Sequence, residues 1–471
     1  MKDEAGVFLG REWELKKLNE MYLSKGFQFP VIYGRRRVGK TSLINEFIKD
    51  KKAIFFTGIE NSAGQNLENL SRAILSYAGG GADEAVFPSF QSALEYVFRL
   101  AGKERLIFVI DEYPYVARAE RSLASTLQAL IDKYRDSSRL LLILCGSSMS
   151  FMENHVLAYK APLYGRRTAQ FKILPFDYFE SKACHKNFSA VDMAVVYGAV
   201  GGTPQYLLQI DDRLSVKENI KRCFLNPASS LYEEPVNLIK QEVREPAAYN
   251  AIITAIASGS TKLSEISSKV GGETSACATY IKNLTALGIV KKETPFAEKS
   301  TRKTIYKLND NLFRFWYRFV PDNIAAISRG LDDEVYDRIS PLIDNYMGAV
   351  FEDICMQYLW KQRAKGECSI AFTDIGRWWG NDAKNKREAE IDIMGDDGIG
   401  AALFCECKWT KEKVDVGVLE ALVERSRLFQ YKKMHYYIFA RSGFTKGCVE
   451  KAKAFGNVNL VTFDEIAEKE K

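Results

Sequence analysis

The stretch GRRRVGKT, at residues 34–41, has the residue types and the spacing of a phosphate-binding loop. It matches the pattern G-x-x-x-x-G-K-[ST], whose glycines allow backbone N–H groups to curl around a phosphate. We expect the Lys40 amine to reach the outer phosphates, the Thr41 hydroxyl to bind Mg²⁺, and the following helix N-terminus to add partial positive charge. The predicted ATP–Mg²⁺ site consists of Gly34, Arg35, Arg36, Arg37, Val38, Gly39, Lys40, Thr41 and Ser42. The three arginines make its rim basic, and we expect them to be solvated or paired with a neighbouring domain.

Two acids and a serine follow apolar runs downstream and could complete a phosphoryl-transfer site. Asp111 and Glu112 end the run RLIFVIDE, and Ser147 follows LLLILCG. Asp111 would hold Mg²⁺ through water, and Glu112 would orient or deprotonate the attacking water. Ser147 could sense the outer phosphate, and a simple turn residue is the alternative interpretation.

Phosphoryl transfer also requires a positive charge that stabilises the developing transition state. Arg166 and Arg167, in the sequence YGRRT, are candidates for this catalytic role. They could act within their own subunit or on a neighbouring one, and a purely structural role is the alternative.

The elements that must position these groups alternate between strand-like and helix-like runs. Apolar runs at 29–34, 53–58, 105–112 and 139–148 predict strands that are covered on both faces. Such strands form a parallel sheet with crossover helices, and ligands bind at the carboxyl ends of its strands. The predicted fold class is therefore α/β, with the parallel sheet of a P-loop NTPase.

Residues 236–310 have a different pattern, which predicts a winged helix-turn-helix. Three helical runs precede two short strand-like runs, GIVKKE and KTIYKL. The third helix carries a single cation, Lys282, and this argues against sequence reading in DNA. The wing could contact phosphates through Lys291, Lys292, Lys299, Arg302 and Lys303. An intramolecular lid or a protein contact is the favoured alternative.

Near the end of the chain, AEIDIMG and AALFCECKWT predict a hairpin whose strands carry acids. The turn can place Asp392 and Glu406 side by side, and two such carboxylates favour a divalent cation between them. Lys408, on the same strand face as Glu406, could polarise a phosphate or position the attacking water. The pattern predicts a metal site suited to phosphodiester hydrolysis, and a structural ion pair of Lys408 with either acid is the alternative. The following helical stretch presents Lys411, Lys413, Arg425 and Arg427, which could flank a phosphate backbone, and a solvated face is the favoured interpretation.

Six segments carry a family resemblance: FLGREWELKKL, GRRRVGKTS, VIDEYPYV, LCGSS, GRRT and GGTPQYL. They resemble the archaeal-type ATPases, which belong to the wider AAA+ and STAND group, over roughly residues 6–320. The resemblance implies that two elements lie near the nucleotide base: the G-R-E element Gly10, Arg11 and Glu12, and the G-x-P element Gly202, Thr203 and Pro204.

The C-terminal pattern also has a family resemblance. The order of a helix glutamate, an aspartate and E-x-K resembles the PD-(D/E)xK nuclease superfamily over about 341–471. It looks most like the domain of uncharacterised function that often follows archaeal-type ATPases. The resemblance adds Glu352 to Asp392, Glu406 and Lys408 as a catalytic set.

The composition indicates a multidomain protein of a reducing compartment. The chain has 471 residues, a net charge of +6 and nine cysteines without a disulfide spacing. The N-terminus lacks an apolar signal core, and no run of 18 apolar residues occurs. We expect a cytoplasmic protein without a membrane partner.

Four segments are predicted from these patterns. They are a P-loop ATPase domain of the AAA+/STAND type with a helical lid at 1–235, the winged helix at 236–310, a linker at 311–340, and an α/β restriction-endonuclease-like domain at 341–471.

The expected function is that of a Mg²⁺-dependent ATPase whose nucleotide state gates a nuclease-like domain that could act on DNA. One alternative is a nucleotide-dependent signalling switch with a non-catalytic, partner-binding last domain; the other is a winged-helix DNA-binding regulator. A protein partner or a homo-oligomer is compatible with each.

Overall fold

The computed structural model of the chain describes most of its 471 residues. The described ranges are 8–79, 85–298, 303–382 and 385–468. Two basic residues of the predicted wing, Lys299 and Arg302, lie outside the described residues. Within the described ranges, no helix combines the length and the apolar character that crossing a membrane requires.

The chain divides into two compact units, and each unit takes two segments of the chain. The first consists of Met1–Phe176 with Thr203–Gln205, and the second of Asp177–Gly202 with Tyr206–Lys471. The chain therefore leaves the first unit after Phe176, returns to it for three residues, and leaves it again.

The first unit has an α/β architecture. Its strands are β1 Pro30–Tyr33, β2 Ala53–Thr57, β3 Leu106–Asp111, β4 Leu140–Gly146 and β5 Ala169–Lys172. Its helices are α1 Glu12–Leu23, α2 Lys40–Ile48, α3 Ala63–Tyr77, α4 Phe90–Leu100, α5 Tyr113–Ala119, α6 Leu123–Tyr134 and α7 Met149–Phe151, and a π-helical turn follows at Met152–Val156.

The five strands form one parallel sheet in the order β2–β3–β4–β1–β5. Every residue of β3 and β4 is buried, as continuous apolar runs predict for strands covered on both faces. On one face, Leu18 of α1 and Phe47 of α2 pack in a core with Ile143 of β4. The predicted α/β class with a parallel sheet is confirmed. Because the strands are parallel, the phosphate loop, Asp111 and Ser147 all lie at the same edge of the sheet.

The second unit contains more elements, and α10 begins in the first unit and ends in the second. Its helices are α8 Tyr178–Lys182, α9 Ala190–Val200, α10 Pro204–Leu207, α11 Val216–Phe224, α12 Glu234–Glu242, α13 Pro246–Ala257, α14 Leu263–Val270, α15 Thr274–Ala286, α16 Asn311–Phe319, α17 Ile324–Ile327, α18 Asp332–Lys365, α19 Val416–Ser426, α20 Lys446–Phe455 and α21 Phe463–Glu468, with a 3₁₀ turn at Pro321–Asn323. Its strands are β6 Val290–Glu293, β7 Ile305–Leu308, β8 Asp374–Asp382, β9 Arg387–Asp396, β10 Ala401–Lys408, β11 Lys433–Ala440 and β12 Val458–Thr462.

These strands form two sheets. Strands β6 and β7 form an antiparallel pair, and the other five have the order β12–β11–β10–β9–β8. In the larger sheet, β8, β9 and β10 are antiparallel, whereas β10, β11 and β12 are parallel. Helix α18 lies against one face, where the Cys355 and Cys407 thiols meet. Helix α19 lies against the other, where Leu419 packs with Phe404.

Helices α13–α15 precede the β6–β7 pair in the second unit. Ile253, Ile266, Ile281 and Leu308 join these elements in one buried core. This is the order of elements on which the winged-helix interpretation rests, and the interpretation itself stays a prediction.

The stretch 311–340, predicted as a linker, contains α16, α17 and the first turns of α18. Helix α16 buries the large side chains of Phe313, Phe315 and Trp316. Phe313 belongs to the same core as the helices α13–α15. The aromatic residues of this stretch therefore pack as part of the second unit.

Candidate nucleotide site and C-terminal acidic site

The loop between β1 and α2 has the backbone of a phosphate cradle. Gly39 has φ +88° directly before α2, a conformation that favours glycine. At Gly34, a Cβ atom would lie 2.3 Å from the Ile173 carbonyl oxygen, so only glycine fits there. The motif thus requires glycine at Gly39 because the backbone there is left-handed, and at Gly34 because the Ile173 backbone lies too close for a side chain.

Lys40, Thr41 and Asp111 converge within this loop. Lys40 is 6% exposed, and its Nζ donates to the Arg35 carbonyl oxygen at 2.9 Å. The Thr41 hydroxyl donates to Asp111 Oδ2 at 2.8 Å, although 70 residues separate the two. A hydroxyl oxygen and a carboxylate oxygen in contact are oxygen donors of the kind that Mg²⁺ prefers. The residues present therefore fit Mg²⁺ together with a phosphate at the α2 N-terminus. Ser42 follows in the first turn of α2 and is exposed.

The expectation that the loop arginines are solvated is wrong for Arg35. Its side chain is 6% exposed, and its Nη2 donates to the Thr203 hydroxyl at 2.6 Å within the same unit. The tight curl of the loop turns this side chain inward, where a buried hydroxyl accepts its hydrogen bond. Arg36 Nη2 donates to the Tyr115 hydroxyl at 2.9 Å, and Arg37 has a left-handed backbone with φ 71°.

The Glu112 side chain is hydrogen-bonded to Ser147. Its Oε2 accepts hydrogen bonds from the Ser147 hydroxyl at 2.8 Å and from the Ser147 N–H at 3.4 Å. Glu112 has a left-handed backbone with φ 48°, which starts α5 directly after β3. Ser147 is 2% exposed. Sequence reasoning placed both residues at this edge of the sheet but missed the bond between them.

Of the residues that the family resemblance added, Arg11 and Pro204 lie against the phosphate loop, and Gly10 lies against Phe176. Gly10 has φ +69°, and a Cβ atom there would lie 2.7 Å from the Phe176 ring. The Arg11 guanidinium lies 4.6 Å from the centre of that ring and donates to the Val38 carbonyl oxygen at 3.3 Å. Pro204 Cγ would lie 3.7 Å from a Cβ atom at Gly39. A role for Gly10, Arg11 and Pro204 at the nucleotide base stays a prediction.

Arg166 and Arg167 lie at the opposite edge of the sheet. They precede β5, whose first residue pairs with Pro30 at the start of β1, whereas the phosphate loop follows the end of β1. A four-residue strand is about 13 Å long. Arg166 is held by Asp132 at 2.6 and 2.8 Å, and Arg167 Nη1 donates to the Leu157 carbonyl at 3.5 Å. Asp132 thus holds the Arg166 guanidinium away from the phosphate loop of its own chain.

Asp392 and Glu406 lie on neighbouring strands of the second unit. The antiparallel pairing of β9 with β10 ends at Ile393 and Cys405, the residues next to Asp392 and Glu406. Asp392 is 8% exposed, and its Oδ2 accepts a hydrogen bond from the Cys407 N–H at 2.8 Å. Burial, and then repulsion from Glu406 and Glu352, raises the pKa of Asp392 to about 7.

Glu406 has a cation at each of its carboxylate oxygens. Lys408 Nζ donates to Oε1 at 2.7 Å, and Arg425 Nη2 donates to Oε2 at 2.6 Å. The expectation of a solvated Arg425 is wrong, because its side chain is 18% exposed and reaches back to β10. Burial lowers the pKa of Lys408, but attraction to Glu406 outweighs it and leaves that pKa raised. The Glu406 carboxylate is thus paired with two positive charges, one on β10 and one on α19.

Glu352, on α18, faces cations more than it faces the other acids. Burial raises the pKa of its carboxyl, and attraction to Arg377 and Lys307 partly offsets this rise. Among the described residues there is no group of three or more His, Cys, Asp or Glu side chains that could hold a metal ion. A metal at Asp392 and Glu406 stays a prediction that rests on two carboxylates.

Asp353, the next residue of α18, takes part in an ion cluster that sequence reasoning missed. It accepts from Lys291 Nζ and from Arg314 Nη2, each at 3.1 Å. Lys291 also contacts Glu293 at 2.8 Å. One lysine that was assigned to phosphate contact in the wing is therefore already paired within the second unit. Charge and spacing alone gave no signal for this long-range contact.

Comparisons with known proteins identify the family of the chain. Residues 8–210 match a family described as an ATPase domain predominantly from Archaea, and residues 316–418 match one described as "Archaea bacterial proteins of unknown function". An uncharacterized protein of Methanocaldococcus jannaschii is 33% identical over 409 residues, which cover 86% of this chain and 88% of that protein. The chain belongs to the archaeal-type ATPase family. The predicted archaeal-type ATPase identity is confirmed.

Two further similarities of this archaeal-type ATPase are more limited. An uncharacterized ATP-binding protein of the same organism is 41% identical over 46 residues, which are 10% of this chain and 78% of that protein. The solved Walker-type ATPase of Pyrococcus abyssi is 20% identical with a TM-score of 0.49, and the match covers 67% of this chain and 98% of that one. The nuclease-like character of the C-terminal part stays a prediction, because the family matched there has no known function.

Proposed function

We propose that this archaeal-type ATPase binds ATP with Mg²⁺ at the phosphate loop and hydrolyses it. The observation that carries the proposal is the 2.8 Å contact between Thr41 and Asp111, which puts a Mg²⁺ donor pair beside the buried Lys40. Membership of a family with an ATPase domain supports it, as does the short match to a protein described as ATP-binding.

Each residue of the loop has a separate task in this reaction. Bound ATP–Mg²⁺ supplies the phosphoryl group and the charge neutralisation of its leaving oxygen. Lys40 would exchange the Arg35 carbonyl for a phosphate oxygen, and Thr41 and Asp111 would hold the metal. Ser147 fixes Glu112 Oε2, which leaves Glu112 Oε1 to accept the proton of the attacking water.

A binding assay with a matched lysine control tests this proposal. A fluorescent ATP analogue with Mg²⁺ should bind the wild type, and Lys40→Ala should weaken binding at least tenfold. Lys49→Ala removes the same charge from the exposed end of α2 and should bind as the wild type does. Phosphate release in the presence of Mg²⁺ should follow the same order. A wild type that binds no nucleotide, or a Lys40→Ala variant that binds equally well, contradicts the proposal.

We propose as a second candidate that Asp392, Glu406 and Lys408, with Glu352, hold a divalent cation for phosphodiester hydrolysis, and that the nucleotide state gates this activity. What supports it is that burial, and then repulsion from Glu406 and Glu352, raises the pKa of Asp392 to about 7, and a bound cation would relieve this repulsion. What weighs against it is that both Glu406 oxygens already bind cationic side chains.

Cleavage assays separate this candidate from a structural charge cluster. DNA would be incubated with Mg²⁺ or Mn²⁺, with and without ATP, and with the wild type, Glu406→Ala and Glu412→Ala. Glu412 is an exposed acid that follows β10, so it serves as the matched control. Loss of cleavage in Glu406→Ala alone, together with a dependence on ATP, supports the gated nuclease. Equal cleavage under all conditions contradicts it.

A further inference from the structure

Thr203 lies at the point where the chain returns to the first unit. Residues Thr203–Gln205 belong to the unit that holds the phosphate loop, whereas Gly202 and Tyr206 on either side belong to the second unit. The Thr203 side chain is 1% exposed, and its hydroxyl accepts the 2.6 Å hydrogen bond from Arg35. A hydrogen bond from a guanidinium is charge-assisted, and such bonds are roughly twice as strong as neutral ones.

Arg35 connects this threonine to the amine that is expected to bind phosphate. Its side chain donates to Thr203, and its carbonyl oxygen accepts from Lys40 Nζ at 2.9 Å. Pro204 lies against Gly39 at the other end of the loop, 3.7 Å from where a Cβ atom would be. Two successive residues, Thr203 and Pro204, therefore touch both ends of the phosphate loop.

The backbone on each side of Thr203 is suited to transmit a displacement. Gly201 has φ 68° and ψ −165°, a conformation essentially restricted to glycine, so the chain bends sharply after α9. On the other side, the buried Tyr206 hydroxyl donates to Glu234 Oε1 at 2.5 Å, in the first turn of α12. A shift of Thr203 would thus reach α12 through two covalently linked residues and one hydrogen bond within the second unit.

We propose that Thr203 is a positioning residue of the phosphate loop, and that it couples the positions of Arg35 and Lys40 to the chain that continues into the second unit. This inference rests on the proposed ATP site. When Lys40 exchanges the Arg35 carbonyl for a phosphate oxygen, Arg35 loses one of its internal contacts, and its hydrogen bond carries the rearrangement to Thr203.

The experiment replaces the hydroxyl without changing the volume of the side chain. Thr203→Val removes the acceptor, Thr203→Ser retains it, and Gln205→Ala changes an exposed neighbour as a control. Each variant is tested for binding of a fluorescent ATP analogue with Mg²⁺, for kcat and KM of ATP hydrolysis, and for hydrogen exchange of α12 with and without a non-hydrolysable ATP analogue. Thermal unfolding checks that each variant is folded.

The wild type should show an ATP-dependent change in the amide exchange of α12. Thr203→Val should weaken nucleotide binding about tenfold, a loss typical of one charge-assisted hydrogen bond, and should abolish the exchange response. Thr203→Ser should restore both, and Gln205→Ala should change neither. If Thr203→Val does not fold, Arg35→Gln breaks the same bond from the loop side and should give the same two losses.

Two results overturn the coupling while leaving the ATP site intact. One is a wild type that binds ATP without any exchange response in α12. The other is a folded Thr203→Val variant with wild-type binding and response, or a Thr203→Ser variant that rescues neither. A wild type that binds no nucleotide is a different result, because it removes the proposed function itself and the coupling with it.

Discussion

Replacing Asp392 by asparagine should stabilise the second unit at pH 8. Asp392 is 8% exposed, and burial followed by repulsion from Glu406 and Glu352 raises its pKa to about 7. Asparagine has nearly the same shape and no charge. Its side-chain oxygen can still accept the hydrogen bond that the Cys407 N–H donates to Asp392 at 2.8 Å.

The sign and the size of the effect follow from proton linkage. The ordinary pKa of the carboxyl is 3.8, so between about pH 4 and pH 7 the folded state holds a proton that the unfolded state has released. The contribution of Asp392 to the free energy of unfolding therefore falls as the pH rises through this window. Above pH 7 the ionised Asp392 carboxylate destabilises the folded state by the full amount. A pKa difference from 3.8 to about 7 corresponds to roughly 4 kcal/mol. We expect Asp392→Asn to recover part of this cost at pH 8 and none of it at pH 4.

Urea unfolding followed by tryptophan fluorescence measures this difference. Five of the six tryptophans lie between residues 316 and 409, so the signal reports mainly on the second unit. Glu388→Gln, an exposed acid on the same strand, is the control and should shift neither curve. If a divalent cation binds Asp392 with Glu406, Mn²⁺ should stabilise the wild type at pH 8 but not Asp392→Asn. Equal stability of Asp392→Asn and the wild type at pH 4 and at pH 8 would refute the reasoning.

Three further substitutions test the roles assigned above. Glu112→Gln should lower kcat for ATP hydrolysis at least a hundredfold, with nucleotide binding by fluorescence nearly unchanged, because only the proton acceptor is lost; a normal kcat would contradict this role. Arg166→Ala breaks a surface ion pair with Asp132, so it should cost less than about 1 kcal/mol in urea unfolding. It should also leave hydrolysis unchanged at dilutions where the chain is monomeric, since Arg166 lies at the far edge of the sheet. Asp353→Asn leaves Lys291 and Arg314 without their shared carboxylate and should cost about 2–3 kcal/mol, less than a fully buried pair, because 27% of the Asp353 side chain is exposed.

The nucleotide site could be predicted from the sequence because its signals are local. A strand, a glycine-bounded loop and a helix follow one another within 20 residues, and this order fixes Lys40 and Thr41 at a helix N-terminus. The buried runs of β3 and β4 predict a parallel sheet, and a parallel sheet has all its carboxyl ends at one edge. The sequence therefore predicts that Asp111 lies near the loop.

The partners of charged side chains could not be predicted in this way. Arg35 meets Thr203 across 168 positions, and Lys291 meets Asp353 across 62. Nothing in periodicity or composition specifies such pairs, since they depend on how packed elements bring distant side chains together. The basic character of the predicted wing indicated that Lys291 could contact phosphates. In this chain Lys291 contacts α18 instead, and its charge is already neutralised.

The two candidate sites differ in the contacts that their side chains already make. In the nucleotide site, the Lys40 amine donates to a neutral carbonyl oxygen, and the Thr41 hydroxyl donates to one Asp111 carboxylate oxygen. In the C-terminal site, a metal at Glu406 would share oxygens that already accept charge-assisted hydrogen bonds from Lys408 and Arg425. A cation bound there would be repelled by these two positive charges. We therefore expect a divalent cation to bind more readily at the nucleotide site than at the acidic site.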